Sequence, residues 1–111
     1  MDIQQTMVGA ACVLKPGTSL AEADAMQFRT AAEEASKRCS GRVLLDASTI
    51  AFLDSAGLEA LVDVTEKLNQ AGRSLKICGA NQTVRAVLRL TGVAGSFEFY
   101  DEVNAGVRSF L

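Results

Sequence analysis

The sequence predicts an α/β fold in which a mixed, mostly parallel sheet is covered by about four helices. After an opening pair of short apolar segments, apolar runs alternate with segments of helical periodicity as far as residue 111. Glycines and a single proline stand at the junctions, where turns are expected. Alternating strands and helices require crossover connections, which favour parallel strands. The predicted order is β-β-α-β-α-β-α-β-α, in one domain over residues 1–111.

The first forty residues predict a hairpin followed by a long helix. Two short strands flank Gly9, and the stretch around Pro16 interrupts the pattern. Residues 19–22 match a capping box, so we expect the helix to begin at Ser19. The apolar stripe of this helix comprises Ala21, Ala25, Phe28, Ala32, Ala35 and Cys39. Its opposite face is expected to be exposed and carries Asp24, Gln27, Glu34 and Arg38.

The remaining elements follow from the same two patterns. Residues 43–45 form a continuous apolar run, typical of a strand buried on both faces. Residues 54–57 open a second helix whose inward positions are Leu58, Leu61, Val62, Thr65 and Leu68. A strand over residues 75–78 precedes a third helix, which Asn81 caps. A last strand at 97–99 leads to a helix capped by Asp101, whose docking positions are Val103, Val107, Phe110 and Leu111.

Composition argues against several classes of partner. The net charge is −2, and the basic residues are scattered, so no positive stripe suits nucleic acid. Residues 1–5 lack the basic and apolar regions of a signal peptide, and no apolar stretch approaches the length of a membrane span. The three cysteines, Cys12, Cys39 and Cys78, fit neither a disulfide framework nor a metal motif. We therefore expect unpaired, buried thiols in a cytoplasmic protein that does not insert into membranes.

The sequence offers little support for catalysis. It contains no histidine, which excludes triads that use histidine as the general base and removes the commonest metal ligand. Gly79-Ala80-Asn81 has the context of a nucleotide-binding turn, but neither the full dinucleotide fingerprint nor a P-loop lysine is present. We predict a protein that is not an enzyme and has neither a cofactor nor a metal.

One segment combines several features of a recognition site. A buried strand, a short polar loop and an apolar pair lead into Asp54-Ser55-Ala56-Gly57-Leu58. This order places Asp54 and Ser55 at a helix N-terminus near the surface, where free amides would partly neutralise an attached phosphoryl group. An ordinary N-cap also explains either residue, and the two interpretations are compatible.

The sequence here resembles the STAS family, named for sulphate transporters and anti-sigma-factor antagonists. The resemblance rests on residues 43–58, on 71–78 and on 83–93, and it covers roughly residues 40 to 100. It implies a non-catalytic module that binds a kinase-like anti-sigma factor or a related regulator. The implied partner-binding residues are Ser48, Thr49, Asp54, Ser55, Ala56, Gly57 and Glu59. Glu59, Asp63 and Glu66 continue the polar side of the second helix, either as a charged docking face or as an ordinary solvated one.

Two positions depart from the family pattern. The usual motif is Asp-Ser-Ser-Gly-Leu, and phosphorylation of its second serine switches binding off; that position is Ala56 here. Residues 16–20 also lack the aspartate that family antagonists carry near the phosphosite. The resemblance therefore implies docking with phosphoregulation lost or moved, and Ser55 is the candidate residual phosphosite.

Two other functions stay open. The first is that of an accessory subunit of a membrane transporter, since STAS subunits of lipid-transporting ABC systems also lack the regulated serine. The partner would in that case be the transporter ATPase. Nucleotide binding is a third hypothesis, supported here only by a helix N-terminus. The sequence does not define the oligomeric state.

Overall fold

The structure is a computed structural model that describes residues 3–111; Met1 and Asp2, part of the N-terminus expected to lack a signal peptide, lie outside the described residues. Its main sheet has five strands in the order β1-β2-β4-β6-β7. They are β1 (Gln4–Val8), β2 (Ala11–Lys15), β4 (Val43–Asp46), β6 (Lys76–Cys78) and β7 (Glu98–Tyr100). Strand β1 is antiparallel to β2, and the other pairs are parallel. This mixed, mostly parallel sheet confirms the predicted fold class.

Two further strands of two residues each lie outside this sheet. Strand β3 (Ser19–Leu20) pairs in parallel with β5 (Phe52–Leu53), with Ser19 opposite Phe52. The main-chain amides of Ala51 and Phe52 also donate to the carbonyl of Thr18, at 2.7 and 3.1 Å. This small ladder ties the entry of the first helix to the entry of the second.

Three of the four helices lie on one face of the sheet. They are α1 (Glu22–Arg38), α2 (Ser55–Gln70) and α3 (Gln82–Leu90). Each crosses from one parallel strand to the next in the same direction, and right-handed crossovers of this kind place their helices on the same side. The buried core between this layer and the sheet includes Phe28, Leu45, Leu61 and Leu88.

Helix α4 (Val103–Arg108) covers the opposite face alone. A smaller cluster lies beneath it, built on Val13, Leu44 and Cys78. Gly106 allows the close approach, because a Cβ there would lie 2.6 Å from a methyl of Leu44 and 2.7 Å from Cys78 Sγ. The central strand β4 is thus buried on both faces, as its apolar run predicts.

The predicted start of α1 was wrong. Ser19 belongs to β3, and Ala21 is the N-cap residue, so the helix begins at Glu22. The Asp24 carboxylate accepts a hydrogen bond from the Ala21 amide at 3.2 Å, with Ser19 Oγ 3.4 Å away. Asp24, expected on the exposed face, is therefore only 6% exposed, because it folds back over the end of its own helix.

The expectation of three unpaired cysteines was wrong for two of them. Cys12 on β2 and Cys39 at the C-terminal end of α1 are joined as a disulfide, with their Cα atoms 6.2 Å apart. Cys78 remains a free thiol buried in β6. Cys12 and Cys39 are 27 positions apart, and they meet only because α1 ends beside β2. The spacing of the cysteines in the sequence does not reveal this position of the helix end.

The end of the chain also differs from expectation. Glu102, not Asp101, is the N-cap residue of α4, and neither side chain caps the helix. The helix stops at Arg108, so Leu111 lies beyond it and is fully exposed. By contrast, Val103, Val107 and Phe110 pack on the small cluster as predicted.

Candidate functional site

The carboxyl ends of the parallel strands bring the 48–59 segment together with three helix starts. Strand β4 ends at Asp46, the segment follows it, and α2 begins at Ser55. Helix α1 begins at the same end of the sheet after β3, and α3 begins there after β6. In open α/β sheets the loops at this end are the usual place for recognition.

Asp54 joins two of these helix starts. Its Oδ1 accepts the amide of Gly57 at 2.8 Å and thereby caps α2, and its Oδ2 accepts the amide of Glu22, the first residue of α1, at 3.0 Å. The Gly57 amide, opposed in part by burial and helped by the Glu22 amide, holds the pKa of this carboxyl below its ordinary value. Asp54 is therefore an ionised bridge as well as the N-cap that the sequence predicts.

Gly57 is required where α2 passes β3. A Cβ at this position would lie 2.0 Å from the carbonyl oxygen of Leu20 and 3.0 Å from a methyl of Leu53. A backbone oxygen cannot rotate away, so only glycine permits this separation between α2 and the β3–β5 ladder. The glycine of the motif thus has a packing role.

The hydroxyls of Ser48 and Thr49 fold the loop before β5. Ser48 Oγ and the Ser48 amide both donate to Asp46 Oδ1, at 2.7 and 3.1 Å. Thr49 Oγ1 lies 3.3 and 3.4 Å from the carbonyls of Pro16 and Gly17. Both side chains are largely exposed, so they shape the loop while remaining accessible.

The other predicted residues divide into exposed and covered positions. Ser55 and Glu59 are exposed on the first turns of α2. Ala56 is half-buried, and its methyl packs against the main core. Phe52 precedes them on β5 and is 56% exposed, an unusual position for a large aromatic side chain. The accessible hydroxyl of the motif is thus that of Ser55.

A groove extends from this surface between α2 and the end of α3. It has a volume of about 490 Å³ and is lined by Leu58, Glu59, Val62, Asp63, Glu66, Thr91 and Val93. The half-buried apolar side chains form its floor, and the exposed carboxylates stand along one rim. Asp63 is also bound by Arg29 of α1, at 2.9 Å. This arrangement suits a partner surface with apolar and basic groups.

Sequence reasoning missed three contributors to this end of the molecule. Asp46 holds Ser48, Glu22 supplies the second amide to Asp54, and the Asn81 side-chain amide donates to the carbonyl of Ile50. Asn81 was predicted only as the cap of α3, which the hydrogen bond from the Val84 amide confirms. Its second bond ties α3 to the loop and joins residues 31 positions apart.

The family profile for the STAS domain matches residues 2–106 of the chain. The chain belongs to the STAS domain family. Among curated proteins, an anti-sigma F factor antagonist from Paenibacillus polymyxa is 30% identical over 74 residues, which cover 66% of this chain and 63% of that protein. The aligned part is thus less than two thirds of that relative.

Solved structures of STAS proteins confirm the fold. A STAS domain protein from Planctomyces limnophilus superposes with a TM-score of 0.84 over the whole of both chains, at 20% identity. The Bacillus protein SpoIIAA in its phosphorylated form gives a TM-score of 0.73 at 19% identity, covering 97% of this chain and 99% of its own. These identities support a shared architecture and no more.

In this STAS domain, the motif residues therefore have separate structural tasks. Asp54 fixes the starts of two helices, Gly57 sets the distance between α2 and β3, and Ser55 stays at the surface. Within residues 3–111 we find no cluster of three metal-binding His, Cys, Asp or Glu side chains. None of the helices described there has the length and hydropathy of a membrane span.

Proposed function

We propose that this STAS domain is a non-catalytic interaction module that binds a kinase-like anti-sigma factor or a related regulator through the 48–59 segment. Membership of the family and the likeness to an anti-sigma F factor antagonist support the class of partner. Ser48, Thr49, Ser55 and Glu59 are the exposed residues of this partner-binding segment, and Asp54, Ala56 and Gly57 hold them in position. We place the protein in the cytoplasm, where such a partner acts.

The observation that carries this proposal is the Asp54 bridge. One carboxylate fixes the starts of α1 and α2 together, and Asn81 holds the loop against α3. A surface held in one conformation loses little conformational freedom on binding, so more of the contact energy appears as affinity. The exposed Phe52 beside the bridge provides an aromatic contact of the kind that dominates interface energetics.

The charges around the groove indicate what the partner presents. Glu59 and Glu66 are exposed on the rim beside the apolar floor formed by Leu58, Val62 and Val93. A complementary surface carries lysine or arginine around an apolar side chain. Pairing at an exposed rim raises the association rate more than the affinity, so binding by this surface is weakened by salt mainly through slower association.

Ala56 makes this binding independent of the usual phosphorylation. Alanine has no hydroxyl, and the Ala56 methyl packs on the core. The resemblance of the motif places the regulated serine of the family at this position. The one accessible hydroxyl within the Asp-Ser-Ala-Gly motif is that of Ser55. A phosphoryl group on Ser55 would lie near the carboxylates of Asp54 and Glu59, so its charge would alter the docking surface directly. Intact mass after incubation with the kinase tests this site, and an unmodified protein excludes it.

A competition assay tests the function. The chain is added to a purified complex of a kinase-type anti-sigma factor with its sigma factor, and released sigma factor is measured. We expect release by the wild type, a loss of at least tenfold in potency for S55R, and no change for N104R, which places the same side chain on the exposed side of α4. No release by the wild type from any such complex of the source organism contradicts the proposal.

Ala56 also favours a second candidate, an accessory subunit of a lipid-transporting ABC system, in which the same surface would bind the ATPase. Titration of the purified ATPase by calorimetry separates the two candidates. Heat of binding that S55R abolishes and N104R preserves, together with no sigma-factor release, assigns the chain to the transporter.

A further inference from the structure

Three sulphur atoms meet at the end of α1 that lies away from the 48–59 segment. Cys12 and Cys39 are joined there, with Cα atoms 6.2 Å apart, a separation typical of disulfides. Met7 Sδ on β1 lies 3.2 Å from Cys12 Sγ and 3.5 Å from Cys39 Sγ. The two cysteines are 1% and 2% exposed, whereas Met7 is 53% exposed. Met7 therefore separates the cysteine pair from solvent.

The two cysteines differ in their electrostatic surroundings. The Arg38 guanidinium nitrogen Nη2 lies 3.8 Å from Cys12 Sγ and is held by Gln5 Oε1 at 2.8 Å. A neighbouring cation favours the thiolate, which is the reactive form of cysteine. Cys39 instead occupies the C-cap of α1, where the helix dipole disfavours negative charge. In the reduced protein, Cys12 is therefore the better nucleophile.

Access to the pair requires only a small movement at the edge of the sheet. Within the five-stranded sheet β1 pairs with β2 alone, so it lies at one edge. Met7 has an unbranched, flexible side chain that can swing away without disturbing the ladder. Cys78 provides the contrast, since it is fully buried in β6 between two paired strands and beneath α4.

We propose that Cys12 and Cys39 form a reversible thiol–disulfide site that exchanges with low-molecular-weight disulfides such as glutathione disulfide. The Cys12 thiolate attacks one sulphur of glutathione disulfide, the S–S bond of that molecule breaks, and one glutathione thiolate leaves. The Cys39 thiolate then attacks Cys12 Sγ, and the second glutathione leaves. The two protein thiols lose two electrons and two protons, and glutathione disulfide gains them as two glutathione thiols.

This site is separate from the proposed docking surface. Helix α1 has 17 residues, which corresponds to a length of about 25 Å, and the cysteine pair lies at its C-terminal end. Disulfides in reducing compartments are usually transient and redox-sensing, so the proposed cytoplasmic location favours a reversible pair.

Intact-mass spectrometry in glutathione redox buffers tests the proposal on the folded protein. We expect the reduced wild type to lose two hydrogens as the buffer becomes oxidising, and to recover them when reduced glutathione is restored. In C39S, one glutathione should be trapped, and peptide mapping should place it on Cys12. Adduct on Cys78 instead, or a native protein that glutathione neither oxidises nor reduces, overturns the proposal.

The R38M variant keeps both thiols and tests the assigned nucleophile even if C39S does not fold. Without the neighbouring cation a smaller fraction of Cys12 is thiolate, and a tenfold loss of thiolate lowers the exchange rate about threefold, because the remaining thiolate is a stronger nucleophile. The matched control R89M removes an arginine from the exposed side of α3 and should react at the wild-type rate. M7A should react faster, because it removes the covering side chain. Equal rates for R38M and R89M contradict the role of Arg38 and of Cys12 as the attacking thiol.

Discussion

Replacing Gly57 with alanine tests the packing that holds the 48–59 segment in place. The added methyl would lie 2.0 Å from the Leu20 carbonyl oxygen and 2.8 Å from the Leu20 carbonyl carbon, so α2 or β3 must move. Overpacking against rigid backbone costs about 3 kcal/mol, at the upper end of the usual range. Alanine recovers about 1 kcal/mol because it is the better helix former. We therefore expect a net loss of about 2 kcal/mol.

Thermal and urea unfolding measure this loss. For a chain of 111 residues a loss of about 2 kcal/mol lowers Tm by about 9 °C. Two matched variants distinguish the clash with the Leu20 carbonyl from the general effect of replacing a glycine with alanine. At Gly106 the added methyl meets only side-chain atoms of Leu44 and Cys78, and at Gly95 it meets nothing within 4 Å. The expected order of destabilisation is G57A, then G106A, then G95A. A G57A protein as stable as G95A refutes the argument from close approach.

Three further variants test individual groups. D54N keeps an acceptor for the Gly57 amide but loses the bridge to Glu22, so we expect a lower Tm at neutral pH. Because the pKa of Asp54 is depressed in the folded protein, its ionised carboxylate stabilises the fold fully above the ordinary value of 3.8, and this stabilisation is lost as pH falls through the folded pKa. The free energies of unfolding of wild type and D54N should therefore converge at that acidic pH. T65V removes the hydroxyl that donates to the Ser96 carbonyl and accepts the buried Leu75 amide; urea unfolding should show a loss of about 2 kcal/mol, which T65S restores. Burial raises the pKa of the Cys78 thiol to about 11. In the folded C12S/C39S variant, alkylation of Cys78 at pH 8 should therefore be about 100-fold slower than in the unfolded chain. Equal rates would contradict the burial of this thiol.

Features that depend on neighbouring residues could be predicted from the sequence. Asn81 and Asp54 cap the helices that follow them, because capping needs only a side chain three positions before an amide. The predicted apolar stripe of α1 is buried from Ala25 to Cys39. Helical periodicity alone defines this stripe, so it too depends only on neighbouring residues.

Features that depend on distant contacts could not be predicted. Ser19 was taken for a cap because its pairing partner, Phe52, lies 33 positions away in a strand of two residues. The second bond of Asp54 reaches Glu22 across 32 positions, and the partner of Cys12 is 27 positions along the chain. The local pattern indicated the 48–59 segment as the candidate site, but the interactions that make this segment rigid depend on tertiary contacts.

Chemical-shift mapping of the isotopically labelled chain, titrated with the purified anti-sigma factor, tests the docking surface most directly. We expect the amide signals of residues 48–59 and of the exposed side of α2 to shift or broaden, and those of β1 and α4 to stay unchanged. Changes centred on β1 or α4, with the 48–59 segment unaffected, contradict the account.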